Sequence, residues 1–244
     1  MHTITGTAAN ANTIYSQTSK FTGLGTENIT ISGETNNSLA VATLNTLNGN
    51  TTGTINANTV TTLTGAISAL NTAYAASVST GDGISNLGNE AITISDGSVT
   101  DVAALNTLNG NTTGLIDAGT NVTSFTGAIS ALNTMFAAAG DSGDKIDFGG
   151  TSGAATQTVT ISDTTDVSVT DLNTLNSNTT GNIDATNVTS LASASISDIK
   201  TLLTNGNNTT NNFAATSFQS LATVAVSGTL SLIHISEPTR LVSI

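Results

Sequence analysis

Cysteine and tryptophan are absent from this 244-residue sequence, and proline occurs once. Without cysteine there is no disulfide scaffold, no thiolate nucleophile and no cysteine-ligated metal. Positive charge is nearly as scarce: 4 Lys and Arg stand against 16 Asp and Glu, for a net charge of −12. Phosphate binding needs clustered Lys and Arg, so nucleic acid is not an expected partner. Aromatics make up 3% and charged residues 8% of the chain, whereas an ordinary domain carries about 25% charge. No run approaches the roughly 20 apolar residues of a membrane-crossing helix, so no membrane span is expected. The opening Met1–Gly6 lacks the basic and apolar pattern of a secretory leader. Either the chain is not exported by that route, or it is an internal piece of something longer. Histidine is limited to His2 and His234, which leaves a serine nucleophile without a plausible base. No constellation for an enzyme is in view.

What is abundant is small and repeated. Hydrophobic residues reach 37%, mostly Ala, Ile, Leu and Val, set among Thr, Asn, Ser and Gly. Leu-Asn-Thr stands at 44–46, 70–72, 105–107, 132–134 and 172–174. The longest phrase, Leu105-Asn-Thr-Leu-Asn-Gly-Asn-Thr-Thr-Gly-Leu-Ile-Asp-Ala118, is echoed at 44–57 and 172–185. Leu44 and Leu105 are 61 residues apart, and Leu105 and Leu172 are 67 apart. A fixed period of this size marks a fold built by repetition. The repeat array covers 1–205, with a partial repeat at 1–23 and units at about 24–77, 87–139 and 147–205. A degraded terminal repeat occupies 206–231. The tail at 232–244 holds the only Pro and the only Arg. It reads as adapter sequence carried into the translation, with a short natural tail as the rival reading, and is set aside.

Each long unit divides again. Ile92-Thr-Ile-Ser-Asp leads to Ala104-Leu-Asn-Thr107, and Val122-Thr-Ser-Phe-Thr-Gly leads to Ala131-Leu-Asn-Thr134. The two halves read as one module of about 30 residues, a strand and a short helix. Alternating apolar and hydroxyl residues predict half-buried strands. Ile67, Leu70 and Tyr74, then Ile129, Leu132 and Phe136, then Ile196, Ile199 and Leu203, each share one helix face. Thr100-Asp101 can cap a helix over 102–108, and Asn109-Gly110 can end it. The periodic Leu, Ile and Val are core, and the repeated Asn predicts a ladder of stacked side chains. Asn56, Asp117 and Asp184 fall at equivalent places in successive units. The sequence thus predicts an α/β solenoid, an elongated right-handed array of strand–short-helix modules. An all-β parallel helix is the alternative.

Calcium is the metal the sequence suits best. Gly140–Gly149 spaces Asp141, Asp144 and Asp147 three apart in a glycine-rich loop, and hard oxygen ligands on a flexible loop favour Ca²⁺. The loop is short, carries Lys145, and is only a partial match to the glycine- and aspartate-rich calcium nonapeptides. A solvated turn is the simpler reading, and no cofactor is required.

The recurring phrase Leu-Asn-Thr-Leu-Asn-Gly-Asn-Thr-Thr-Gly, with Val-Thr-Ser-Phe-Thr-Gly-Ala and Ala-Leu-Asn-Thr-Met-Phe-Ala, resembles the repeats of giant cell-surface proteins of marine unicellular cyanobacteria. Those proteins include one associated with swimming without flagella. The resemblance covers about residues 1–205. It implies an extended, secreted, surface-attached protein associated with calcium, located outside the cell. The expected role is a structural spacer or surface-layer segment whose partners are neighbouring repeats of the same chain. A calcium-stiffened adhesin gripping cell-surface polysaccharide or a partner cell is the alternative.

Overall fold

The structure is a computed structural model and describes residues 2–17, 19–77, 83–140, 145–149, 155–205, 213–214, 217–218, 221 and 223–227. Strands and helices alternate along the chain. The order opens β1 (Thr3–Gly6), α1 (Ala8–Tyr15), β2 (Asn28–Ile31), β3 (Ser38–Ala40), α2 (Val41–Asn50), β4 (Thr54–Asn56). It continues β5 (Thr62–Gly65), α3 (Ile67–Ala75), β6 (Gly83–Ser85), β7 (Ala91–Ile94), β8 (Ser98–Val99), α4 (Val102–Asn111), β9 (Ile116–Asp117). After it come β10 (Ser124–Gly127), α5 (Ile129–Ala137), β11 (Ile146–Asp147), β12 (Thr158–Ile161) and α6 (Val169–Asn178). The last elements are β13 (Ile183–Asp184), β14 (Ser190–Ser195), α7 (Ile196–Asn205) and β15 (Thr223–Ser227).

The strands form four sheets, ordered β1-β2-β4-β6, β3-β5-β7-β9-β11, β8-β10-β12-β13 and β14-β15. Every pairing is parallel. Register sets like beside like. Leu39, Leu63, Ile92, Ile116 and Ile146 form one apolar column, and Ile4, Ile29, Ile55 and Ile84 form another. The next residue along each strand is polar nearly throughout, as in Thr64, Thr93, Asp117 and Asp147. A side-chain period of two turns both apolar columns inward and the polar positions between them outward. Between the strands each helix packs on its neighbours, α1 on α2 through to α6 on α7. The core is continuous and made of modest side chains, with Leu44, Leu70, Leu105, Leu132 and Leu172 all fully buried. These short helices are marginal alone and depend on that burial.

The α/β class expected from the sequence is what the chain adopts, and its helices exclude the all-β alternative for the described residues. Three details differ. The two halves of a unit are not the same module. Before α4 the chain makes β7 and then β8, and it is β8, not β7, that pairs with β10. One half therefore carries an extra strand: β2, β7, β12 and β15 recur 63, 67 and 65 residues apart, counted from Ile29, Ile92, Val159 and Val224. This also places a recognisable strand inside the stretch read as a degraded repeat. Second, α4 does not stop at Asn109-Gly110 but runs on to Asn111, since glycine inside a helix costs only ~1 kcal/mol. The stop comes at Thr112, whose backbone is extended. Third, α7 buries Leu202 and half-buries Ile199, while Ile196 and Leu203 face outward.

Candidate functional site

Of the three proposed calcium ligands, Asp141 and Asp144 lie outside the described residues. Asp147 closes β11, where its Oδ1 accepts from the Gly149 N–H at 2.7 Å. Its Cα pairs in register with Asp117. The Asp117 carboxylate accepts from the N–H groups of Gly119 and Thr120 and from the Thr120 hydroxyl. Asp184 and Asn56 close the turns after their own strands in the same way. These are side chains that fold back on the two or three following residues, the habit of Asx turns. Among the described residues, no group of three or more His, Cys, Asp or Glu is gathered as a metal cage would need.

The repeated tripeptide has a division of labour. Leu enters the core. Thr returns its hydroxyl to the carbonyl four residues back in its own helix, at 2.9–3.0 Å in six helices. Asn reaches to the next helix. The Nδ2 of Asn12, Asn45, Asn71, Asn106, Asn133 and Asn173 donates to the carbonyls of Thr43, Ala69, Ala104, Ala131, Asp171 and Asp198 at 2.9–3.1 Å. In every case the donor is the fifth residue of one helix and the acceptor the third of the next. Of the expected ladder, in which repeated Asn side chains bond each other and backbone, the helix Asn make chiefly the backbone bonds, and to helix carbonyls rather than turns. The reason is spacing: neighbouring helices stand 8–10 Å apart, nearly twice the strand spacing at which identical side chains ladder. Bonds between Asn side chains join Asn50 to Asn12, Asn111 to Asn71 and, after the strands, Asn86 to Asn56.

A second feature is buried. The Tyr15 hydroxyl donates to Glu27 Oε2 at 3.1 Å, and the Tyr74 hydroxyl donates to Glu90 Oε2 at 3.1 Å. The N–H groups of Gly25 and Gly88 reach the same oxygens at 2.8 Å. In the third unit the pair becomes Phe136 and Gln157, which lie at the matching positions. Phenylalanine has no hydroxyl to give, and Gln157 turns its Nε2 to the Phe148 carbonyl at 2.9 Å instead. Phe125, Phe136 and Phe148 then pack with centroids 5.2–6.3 Å apart. The Gly25 N–H and its neighbours hold the Glu27 carboxyl below the usual range. Burial, with Glu90 beside it, pushes the Tyr74 hydroxyl well up, and burial also raises Tyr15. Sequence reasoning missed this pair, although Tyr/Glu, Tyr/Glu and Phe/Gln change together along the chain.

Carboxylates also finish helices. Ala66 and Ala128 precede α3 and α5 and offer no capping side chain. The missing acceptor comes from far along the chain: Asp96 accepts from Ile67 N–H at 2.8 Å and Asp163 from Ile129 N–H at 2.6 Å. Glu34 does the same for Ala8 at 2.7 Å. A carboxylate there meets the positive end of the helix dipole. Where a local cap exists, as at Asp101, Ser168 and Thr7, it is used. The acidic excess is therefore more than surface charge, because most of the described carboxylates hold backbone N–H groups.

Open clefts flank these staples. One of about 220 Å³ runs past Ser68, Asp96, Ser98, Thr100 and Asp101. Another, of about 620 Å³, lies over Asn71, Tyr74, Asp101, Thr107 and Asn111. The arrangement's chemistry is fastening: amides, hydroxyls and carboxylates tie each segment to the one that follows. No family model, curated protein or solved structure matches the chain. Among the described residues, no helix is long and apolar enough to cross a membrane.

Proposed function

We propose that this chain is a structural spacer, a solenoid segment of a large, repetitive, secreted bacterial cell-surface protein. The observation that carries the reading is the asparagine staple, which repeats with the same helix positions at all six helix junctions from α1 to α7. A chain whose every segment is fastened to the next by one rule grows by length, and its stability is a sum over neighbours. The cysteine-free composition and the likeness of its repeats to cyanobacterial surface giants support the extracellular placement. Small-angle X-ray scattering tests it. A compact chain of this length has a radius of gyration near 18 Å. A row of seven helices at 8–10 Å spacing raises it to roughly 21 Å. A value at or below the compact figure removes the reading.

The in-register Asp117 and Asp147 favour a second reading, a calcium-stiffened adhesin segment binding polysaccharide or a partner cell. Like charges directly opposite on neighbouring strands repel, and a divalent cation relieves that. Thermal melting with millimolar calcium should then show a rise in Tm that Asp147→Asn removes. An unchanged Tm discards the calcium.

A further inference from the structure

Two parallel strand pairs meet at a corner. β4 and β6 run side by side as far as Asn56 and Ser85, and the same two segments pair again as β5 and β7 from Thr62 and Ala91. Between those points residues 57–61 and 86–90 part. The gap is a cleft of about 440 Å³, lined by Asn58, Val60, Thr61, Asn86, Leu87 and Asn89. It lies at the carboxyl ends of β4 and β6, the end of a parallel sheet where α/β folds place their ligands. Its size falls within the roughly 300–1,000 Å³ of small-ligand sites.

The matching corner of the following unit is closed. There β9 and β11 pair as far as Asp117 and Asp147, and β10 and β12 pair from Ser124 and Thr158. Gly119 stands where Asn58 does, each donating its N–H to the side chain two residues back. A Cβ on Gly119 would run into the Gly149 nitrogen and lie 2.6 Å from the Phe148 carbonyl carbon. That corner has no room for the side chain that Asn58 carries. Phe148 is buried there against Phe125 and Phe136. Its counterpart Asn86 is exposed, with φ at 63°, a conformation asparagine tolerates.

The polar groups of the open corner are also uncommitted. Thr123 and Thr189 donate their hydroxyls to the carbonyls of Gly97 and Thr164 at 2.8 Å. Thr61 donates its N–H to the equivalent Asn37 carbonyl, but its hydroxyl has no partner among the described residues. At the Asn58 position of the third unit, the Thr186 hydroxyl donates to Asp184. The side-chain amides of Asn58 and Asn89 bond to nothing among the described residues. Asn86 donates to Asn56 Oδ1 at 2.9 Å and keeps its own oxygen free.

No charged side chain lines the cleft, and Glu90, next to Asn89, is turned inward. A metal ion would find no carboxylate there. An anion would find no cation and would meet a chain of net charge −12. Amides and hydroxyls both donate and accept, and Val60 and Leu87 add an apolar floor. A ligand with many hydroxyl groups and apolar C–H faces matches both features.

We propose that this cleft binds a neutral oligosaccharide. Asn58, Thr61, Asn86 and Asn89 bond its hydroxyls, and Leu87 packs on its ring C–H groups. The inference gives the adhesin reading a site, and it rests on that reading's polysaccharide partner but not on its calcium.

The test is nuclear magnetic resonance titration of the ¹⁵N-labelled full chain with cello-, malto-, manno- and chitotetraose, and with a uronic acid tetramer as the charged comparison. Each is taken to about 10 mM, enough to reveal a Kd of about 1 mM. At least one neutral tetramer should shift the side-chain amide signals of Asn58, Asn86 and Asn89, and the uronic acid tetramer should shift none of them. Asn58→Ala with Asn89→Ala should weaken binding by about tenfold or more, with Tm and far-ultraviolet spectrum unchanged, because these amides hold nothing within the chain. Asn10→Ala, at an exposed position of α1, should bind as the parent does. Shifts confined to other residues, or binding that the double variant retains, overturn the cleft and leave the adhesin reading with a site elsewhere. No response to any neutral tetramer overturns the cleft and the polysaccharide partner together. Tighter binding of the uronic acid tetramer overturns the neutral ligand.

Discussion

Tyr74 and Glu90 form the most informative pair to perturb. Glu90 is 0% exposed, and its Oε1 has no partner among the described residues. Its other oxygen depends on the Tyr74 hydroxyl at 3.1 Å and the Gly88 N–H at 2.8 Å. Tyr74→Phe removes the first donor and leaves a buried acceptor further undersatisfied, which costs about 2 kcal/mol within the usual ~1–3 range. Glu90→Gln keeps an acceptor for both donors and loses about 1 kcal/mol. The third unit already lives with Phe136 and Gln157 at these positions, its amide donating to the Phe148 carbonyl. The double variant should therefore cost no more than the worse single one, a coupling of about 1 kcal/mol or more. Urea unfolding followed by far-ultraviolet circular dichroism measures all four proteins. Costs that add to within ~0.5 kcal/mol would refute the claim that the pair works as a unit.

Two glycines separate packing from propensity. A Cβ on Gly114 would sit 2.1 Å from the Glu90 carbonyl oxygen, whereas one on Gly110 meets nothing within 4 Å. Gly114→Ala should destabilise by about 3 kcal/mol through overpacking, and Gly110→Ala, inside α4, should stabilise by roughly 0.5–1 kcal/mol; thermal melts read both signs. Asn106→Ala removes one staple to Ala131, a carbonyl that keeps its place in the helix ladder, and should cost about 1 kcal/mol. Leu105→Ala beside it empties a fully buried site and should cost about 2–5 kcal/mol. The pH profile follows from the shifted groups. The lowered Glu27 carboxyl adds stability above its ordinary 4.5 that is lost as pH falls through its folded value. The raised Tyr15 and Tyr74 hydroxyls hold full stability below pH 10 and lose it as pH climbs beyond. Glu27→Gln should flatten the acid limb of a Tm–pH curve and soften the alkaline limb only by Tyr15's share, leaving the part due to Tyr74.

The parts of this fold that were legible in the sequence are those set by short spacing. The Ile-Thr-Ile strands, the Leu periodicity of the helices and the Asp101 cap depend on residues within four of each other. The staples were legible as a repetition but not as a geometry, because Asn106 meets Ala131 25 residues away. The same holds for the borrowed caps, which span 26–34 residues from Glu34, Asp96 and Asp163. The strand β8 is two residues long, too short for alternation to show, so the two halves of a unit looked alike. The Tyr–Glu pair left one trace, its joint change to Phe136 and Gln157, visible only once the units are aligned on Ile92 and Val159. Of the acid loop, Asp147 is placed beside Asp117, with its carboxylate turned to Gly149.

The most direct measurement is the removal of one whole period. Deleting residues 30–92 takes out 63 residues and joins Ile29 to Thr93, which restores an Asn-Ile-Thr-Ile strand. If burial is shared only between neighbouring copies, the shortened chain should fold with unchanged ellipticity per residue and a cooperative melt. Loss of the helical signal, or a chain that is soluble only in denaturant, would mean that distant units depend on one another and would contradict the account.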